Sequence, residues 1–146
     1  MDIEQTIDIA APPEQVWSVM SDVERWPQWT ASVKSVERLD AGPFAVGSRA
    51  RVRQPRLPTA VWTVTALEPG RSFTWRNASP GVTSVAVHTV EAAGGDRSRV
   101  TLGVDWSGPL APLLRLIYGG LSRRYVAMEA HGLKQRCEAS LPVKTS

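Results

Sequence analysis

Apolar and polar residues alternate from the start of the chain. Ile3, Ile7 and Ile9, with Gln5 between them, share one face of residues 2–9, while Asp2, Glu4, Thr6 and Asp8 share the other. That is the period of a half-buried strand. Ala10-Ala11-Pro12-Pro13 ends it. Pro13 suits the first turn of a helix, where a missing N–H costs no hydrogen bond, and Glu14 suits the positive end of the helix dipole. Val16, Trp17 and Met20 mark the buried side of that short helix. Asp22 is placed to cap a second short helix, which carries Trp26 and is limited by Pro27.

From there the period is two. Residues 33–39, 48–54, 60–67, 73–77, 82–92 and 99–106 read as strands, separated by Asp40-Ala41-Gly42-Pro43, Pro55 to Pro58, Glu68-Pro69-Gly70-Arg71, Ser79-Pro80-Gly81 and Gly94-Gly95-Asp96. Strands at such short, regular intervals are joined by hairpins, which predicts one antiparallel sheet of about seven strands. Beyond Pro109 the step lengthens to three and four. Leu110, Leu113 or Leu114, Ile117, Leu121, Tyr125, Met128 and Leu133 alternate with Arg115, Arg123, Arg124, Lys134 and Arg136, predicting an amphipathic helix of about 30 residues. Gly119-Gly120 costs this helix about 1 kcal/mol per glycine, which predicts a close backbone approach or a bend there.

A sheet with one apolar face must cover it, and only the terminal helix is long enough to do so. About 30 helical residues span ~45 Å, against ~17–25 Å for such strands, so the helix is expected to cross a twisted sheet diagonally. A curved sheet and a straight rod cannot touch everywhere. The gap left between them is the expected binding site.

Composition adds limits. The 146 residues are 42% apolar and 21% charged, which fits a single globular domain over 1–146. The net charge of +3 is concentrated in Arg49, Arg51, Arg53 and Arg56. The first three alternate with Ala50 and Val52, so they share one strand face. No aromatic residues interleave with them, so the row reads as a wet outer face and not a nucleic-acid site. Cys137 is the one cysteine, which excludes an internal disulfide and a cysteine-rich zinc site. No metal and no cofactor is expected. The acidic start without an apolar leader, and an apolar stretch at 109–121 broken by Arg115, predict a cytoplasmic protein without stable membrane association, monomeric or weakly homodimeric.

Four passages, "IDIAAPPEQVWSVMSDVERWPQW", "GPFAVGSRARV", "WTVTALEPGRSFTWR" and "GGDRSRVTLGVDWSG", together with the closing "GLKQRCEASL", resemble the START-like, polyketide cyclase/dehydrase superfamily over essentially the whole chain. The resemblance implies an α+β helix-grip fold, as in the birch-pollen-allergen proteins. It also implies a cavity for apolar or aromatic small molecules. Members include aromatase/cyclases, carriers and receptors, so the fold leaves the activity open.

Candidate residues follow from the pattern. His88 sits mid-strand on the face of Ser84, Ala86 and Val90, where it could work as an acid or base inside an apolar pocket. Trp26, Trp29, Trp62, Trp75 and Trp106 are expected at the cavity wall or mouth, with rings that narrow it and offer stacking faces. Ile117 and Leu121 are expected to face it from the helix, and Arg124 nearby could meet a ligand anion. Asp105 and Glu129 are candidate pocket acids for which the solvated reading is preferred, and His131 is expected at the surface or in helix-end packing. The leading expectation is binding of a small hydrophobic, aromatic, polyketide- or lipid-like molecule. The alternative is a cyclase with His88 as general base and Tyr118 or Tyr125 as proton donor. A third reading, an interaction module using the outer sheet face, conflicts with the arginine row.

Overall fold

The structure, a computed structural model, describes residues 2–139. Strand β1 (Ile3–Ile9) leads into helix α1 (Pro13–Met20) and a 3₁₀ helix (Val23–Gln28). Strands β2 (Ser35–Arg38), β3 (Arg49–Arg53), β4 (Ala60–Glu68), β5 (Ser72–Ser79), β6 (Val82–Ala92) and β7 (Ser98–Ser107) follow, and helix α2 (Ala111–Ala139) ends the described chain. The seven strands form one sheet in the order β1-β7-β6-β5-β4-β3-β2, antiparallel at every pairing. A register shift between Val64 and Ala66 bends β4.

The inward row follows from alternation. Phe73 pairs with His88 and His88 with Leu102; Trp75 pairs with Ala86 and Ala86 with Val104. At one end of the concave face, α1 delivers Val16 and Met20 onto Phe73, Val90 and Val100, and α2 adds Leu133 and Cys137; all of these are fully buried. The arginine row points outward as expected: Arg49 and Arg53 are exposed, Arg51 pairs with Glu37 at 2.7 Å, and Ala50 and Val52 are buried.

Helix α2 is pinned at both ends. At its start Arg115 bonds the Asp2 carboxylate and the Trp106 carbonyl. At its end the Glu138 carboxylate accepts from the Ala10 amide and the Lys134 ammonium, while Gln15 donates to the Cys137 carbonyl.

Three expectations about the helices change. Residues 23–28 form a 3₁₀ turn, and Asp22 pairs with Arg25 instead of capping it. The close backbone approach falls at Gly132, where a Cβ would run into the Trp29 carbonyl oxygen; at Gly119 and Gly120 nothing lies within 4 Å of the Cβ position. The buried stripe keeps Tyr125 and Leu133 as expected but adds Val126, Ala130 and Cys137, while Leu113 and Ile117 are exposed. Neighbouring residues point about 100° apart on a helix, so a stripe chosen one residue away faces elsewhere.

Candidate functional site

Beyond the packed end the sheet and α2 diverge and leave a cavity of about 390 Å³. Its floor is the inward row of β5–β7, where Ser84 and Ala86 are too small to reach the helix. Its roof is a stripe of α2 at three- and four-residue steps: Leu114, Tyr118, Ser122, Tyr125 and Glu129. The β3–β4 loop crosses the side with Gln54, Leu57, Pro58 and Thr59. The Tyr125 hydroxyl donates to the Pro55 carbonyl and ties that loop to the helix. Arg56 adopts a positive φ of 68° in this loop, a conformation that costs a non-glycine residue energy.

Of the expected site residues, Trp26, Trp62, Trp75, His88 and Trp106 line the cavity. Trp75 is the hub of the rings, 5.4 Å from Trp26 and 5.8 Å from Trp62 between centroids. The Trp26 indole N–H is satisfied by the Met20 carbonyl, so its apolar face can remain in the wall.

Four expected residues lie elsewhere. Trp29 packs between Trp26 and the helix at Gly132, so it is a spacer of the closed end. Ile117, Leu121 and Arg124 border a second, shallower depression with Arg56 and Gly120, which meets the cavity at Tyr118. The reason is the same rotation of the helix face.

His88 is 4% exposed and stacks on Phe73, with centroids 4.2 Å apart and an 8° interplanar angle. Its Nδ1 faces the Phe73 carbonyl at 3.4 Å. A carbonyl oxygen can only accept, so Nδ1 carries the ring proton and Nε2 keeps its lone pair. Burial among Phe73, Trp26 and Trp75 pushes the imidazole pKa down to about 4, against a smaller upward pull from the Phe73 carbonyl. The ring is neutral at physiological pH.

Glu129, weighed from the sequence as a pocket acid but read as solvated, is half-buried. It lines the cavity, and no hydrogen bond or ion pair reaches its carboxyl among the described residues. Desolvation alone pushes its pKa up to about 8, so the carboxyl holds its proton at neutral pH. The available signal was its place one turn beyond Ser122 and Tyr125, on a stripe free of arginine and lysine. Burial thus drives both titratable groups toward their uncharged forms, and the hollow contains a neutral base and a neutral acid.

The fold recurs in known proteins. The Zhui aromatase/cyclase from a Streptomyces species superposes with a TM-score of 0.80 at 19% identity, covering 97% of this chain and 95% of that one. A hypothetical protein from Helicobacter pylori superposes at 0.79 and 14% identity, over 92% of this chain and 86% of its own. One unit of the di-domain aromatase/cyclase StfQ of the steffimycin biosynthetic pathway gives 0.69 at 14%, covering 93% of this chain and 44% of that one. These likenesses show the fold. Uncharacterised proteins of Mycobacterium bovis and Mycobacterium tuberculosis share 35% identity over 43 residues, 30% of this chain. The match takes in 26% of their length, so the chain aligns with about a quarter of these relatives. The family described as polyketide cyclase/dehydrase and lipid transport matches residues 1–139, and the chain belongs to it.

Proposed function

We propose that the protein binds one small, flat, apolar molecule of two or three fused rings between α2 and the sheet. The observation that carries this reading is the indole-walled cavity of about 390 Å³, within the size range of small-molecule sites. Burying roughly 300 Å² of apolar ligand surface at about 25 cal/mol per Å² contributes about 7 kcal/mol. The cost of immobilising the ligand offsets part of this, which leaves a Kd in the micromolar range or weaker. Trp62 and Trp75, tilted 31° to one another, offer ring faces for stacking. A titration of tryptophan fluorescence with polyphenols, quinones and fatty acids tests the proposal. Saturable quenching by the flat ring compounds is expected, and no saturable response to any class would remove the reading.

A second reading is supported by the neutral imidazole and neutral carboxyl in one cavity. A cyclase that condenses and dehydrates a polyketide chain needs a proton acceptor and a proton donor. His88 Nε2 is the acceptor, and Glu129 is a better donor than Tyr125, whose hydroxyl is committed to Pro55. Incubation with a synthetic poly-β-ketone, followed by absorbance of aromatic product, tests it. Formation of product that His88→Ala and Glu129→Gln both abolish is expected; product unchanged by either substitution sinks this reading.

A further inference from the structure

We propose that Glu129 is the polar anchor of the cavity and selects uncharged ligands carrying an oxygen acceptor, such as an aromatic ketone or quinone, over carboxylates. The inference rests on the ligand-binding reading above and names the chemistry that this site takes.

The geometry carries it. Glu129 lines the cavity from α2, and its carboxyl has no partner among the described residues. Glu129 is half-buried and its carboxyl makes no bond within the protein, so a ligand oxygen that reaches it completes a hydrogen bond the fold leaves open. The other titratable groups lining the cavity are His88 from β6 and Tyr118 and Tyr125 from α2 itself. Tyr125 is bonded to Pro55, and His88 shares a hydrogen bond with Phe73. No arginine, lysine or aspartate lines the cavity among the described residues. Arg124, which the sequence offered to a ligand anion, borders the neighbouring depression with Arg56 and does not line the cavity.

A carboxylate entering this cavity therefore meets no cation, and desolvating it without one costs several kcal/mol. A ketone loses little on leaving water and can accept the Glu129 O–H. Because burial holds the Glu129 pKa near 8, that donor is present at neutral pH and is lost above it. Once ionised, Glu129 presents only acceptors, and a ligand carbonyl is repelled.

Three naphthalene probes test this: 2-ethylnaphthalene, 2-acetylnaphthalene and 2-naphthoate, titrated by calorimetry into wild type, Glu129→Gln and Glu129→Leu at pH 7 and pH 9.5. Both variants remove an unpartnered acid and are expected to fold, checked by circular dichroism. In wild type at pH 7 the ketone should bind at least about 100-fold more tightly than the carboxylate. Moving to pH 9.5 should weaken the ketone at least about tenfold, since each pH unit above the pKa removes about nine-tenths of the remaining donor. Glu129→Gln keeps an N–H donor and should bind the ketone with no such pH dependence. Glu129→Leu should weaken the ketone about tenfold and leave the hydrocarbon unchanged or tighter. Equal ketone-to-hydrocarbon affinity ratios in wild type and Glu129→Leu would overturn the proposal, as would tight naphthoate binding at pH 7. If the hydrocarbon binds while those ratios are equal, only the Glu129 assignment falls. If no probe binds any variant, the ligand-binding reading falls with it.

Discussion

Strand β6 runs through two environments, and its inward residues record the change. Val90 lies in a closed interior with Phe73, Val16, Met20 and Val100, all of them buried. Two to four steps of the alternation away, Ala86, Ser84 and Val82 line open space under the same helix. The 3₁₀ helix sends Trp26 into the wall of the hollow, while helix α1 packs against both α2 and β6 and fills the closed end. Close packing there excludes water by contact, so volume changes are felt at once. The open end is lined and not filled, so a polar group such as Glu129 sits there without a protein partner. His88 sits at the boundary, stacked on Phe73 of the packed end and lining the hollow.

The largest expected effect breaks the packed end. Gly132→Ala would drive a Cβ into the Trp29 carbonyl. Overpacking against backbone cannot relax cheaply, so a loss of at least about 3 kcal/mol is expected. Thermal unfolding should show it as a fall in Tm of about 6–12 °C. An unchanged Tm would mean the two segments are not in contact.

The next effect comes from the hollow and its two titrating groups. Glu129 moves from an ordinary 4.5 to about 8 on folding, so the folded state loses stability as pH rises across that interval. His88 moves from 6.5 to about 4, so its contribution is lost as pH falls across the lower interval. Between 4.5 and 6.5 the two slopes oppose and cancel. From pH 6.5 to 8 Glu129 acts alone, which costs about 2 kcal/mol at about 1.4 kcal/mol per pH unit. Urea unfolding across this range should show the fall in wild type and a flat profile in Glu129→Gln; parallel profiles would place Glu129 in water.

The smallest effect sharpens the contrast between glycines of one helix. Gly120 has nothing within 4 Å of its Cβ position, so Gly120→Ala should stabilise by about 0.5–1 kcal/mol, opposite in sign to Gly132→Ala. A loss of stability in urea unfolding would show an approach to Gly120 that the packing here lacks.

The sheet was legible because its residues obey one rule. Alternation and turn chemistry bound β6 to residues 82–92 and assigned His88 to the face of Ser84 and Ala86 correctly. The roof of the cavity was not legible for the same physical reason that it is a cavity. Hydrophobicity marks residues that pack, and much of the α2 stripe over the hollow has open space beneath it. Ser122, Tyr118 and Glu129 could therefore face inward, while Leu116 and Ile117, chemically suited to a core, stay in solvent. Gly132 was equally hidden, because the atom that forbids a side chain there belongs to Trp29, far away along the chain.

Filling the hollow tests most directly whether it is the binding site. Ala86 lines the cavity between Trp75 and Val104 on the adjoining strands. Ala86→Leu would extend a side chain into the space a ligand would occupy, with stability unchanged or raised because the added carbons enter a void. Calorimetric titration of 2-ethylnaphthalene should give one saturable site in wild type and none in the folded variant. Equal binding to both proteins would contradict the account, since it would put the ligand somewhere other than between helix and sheet.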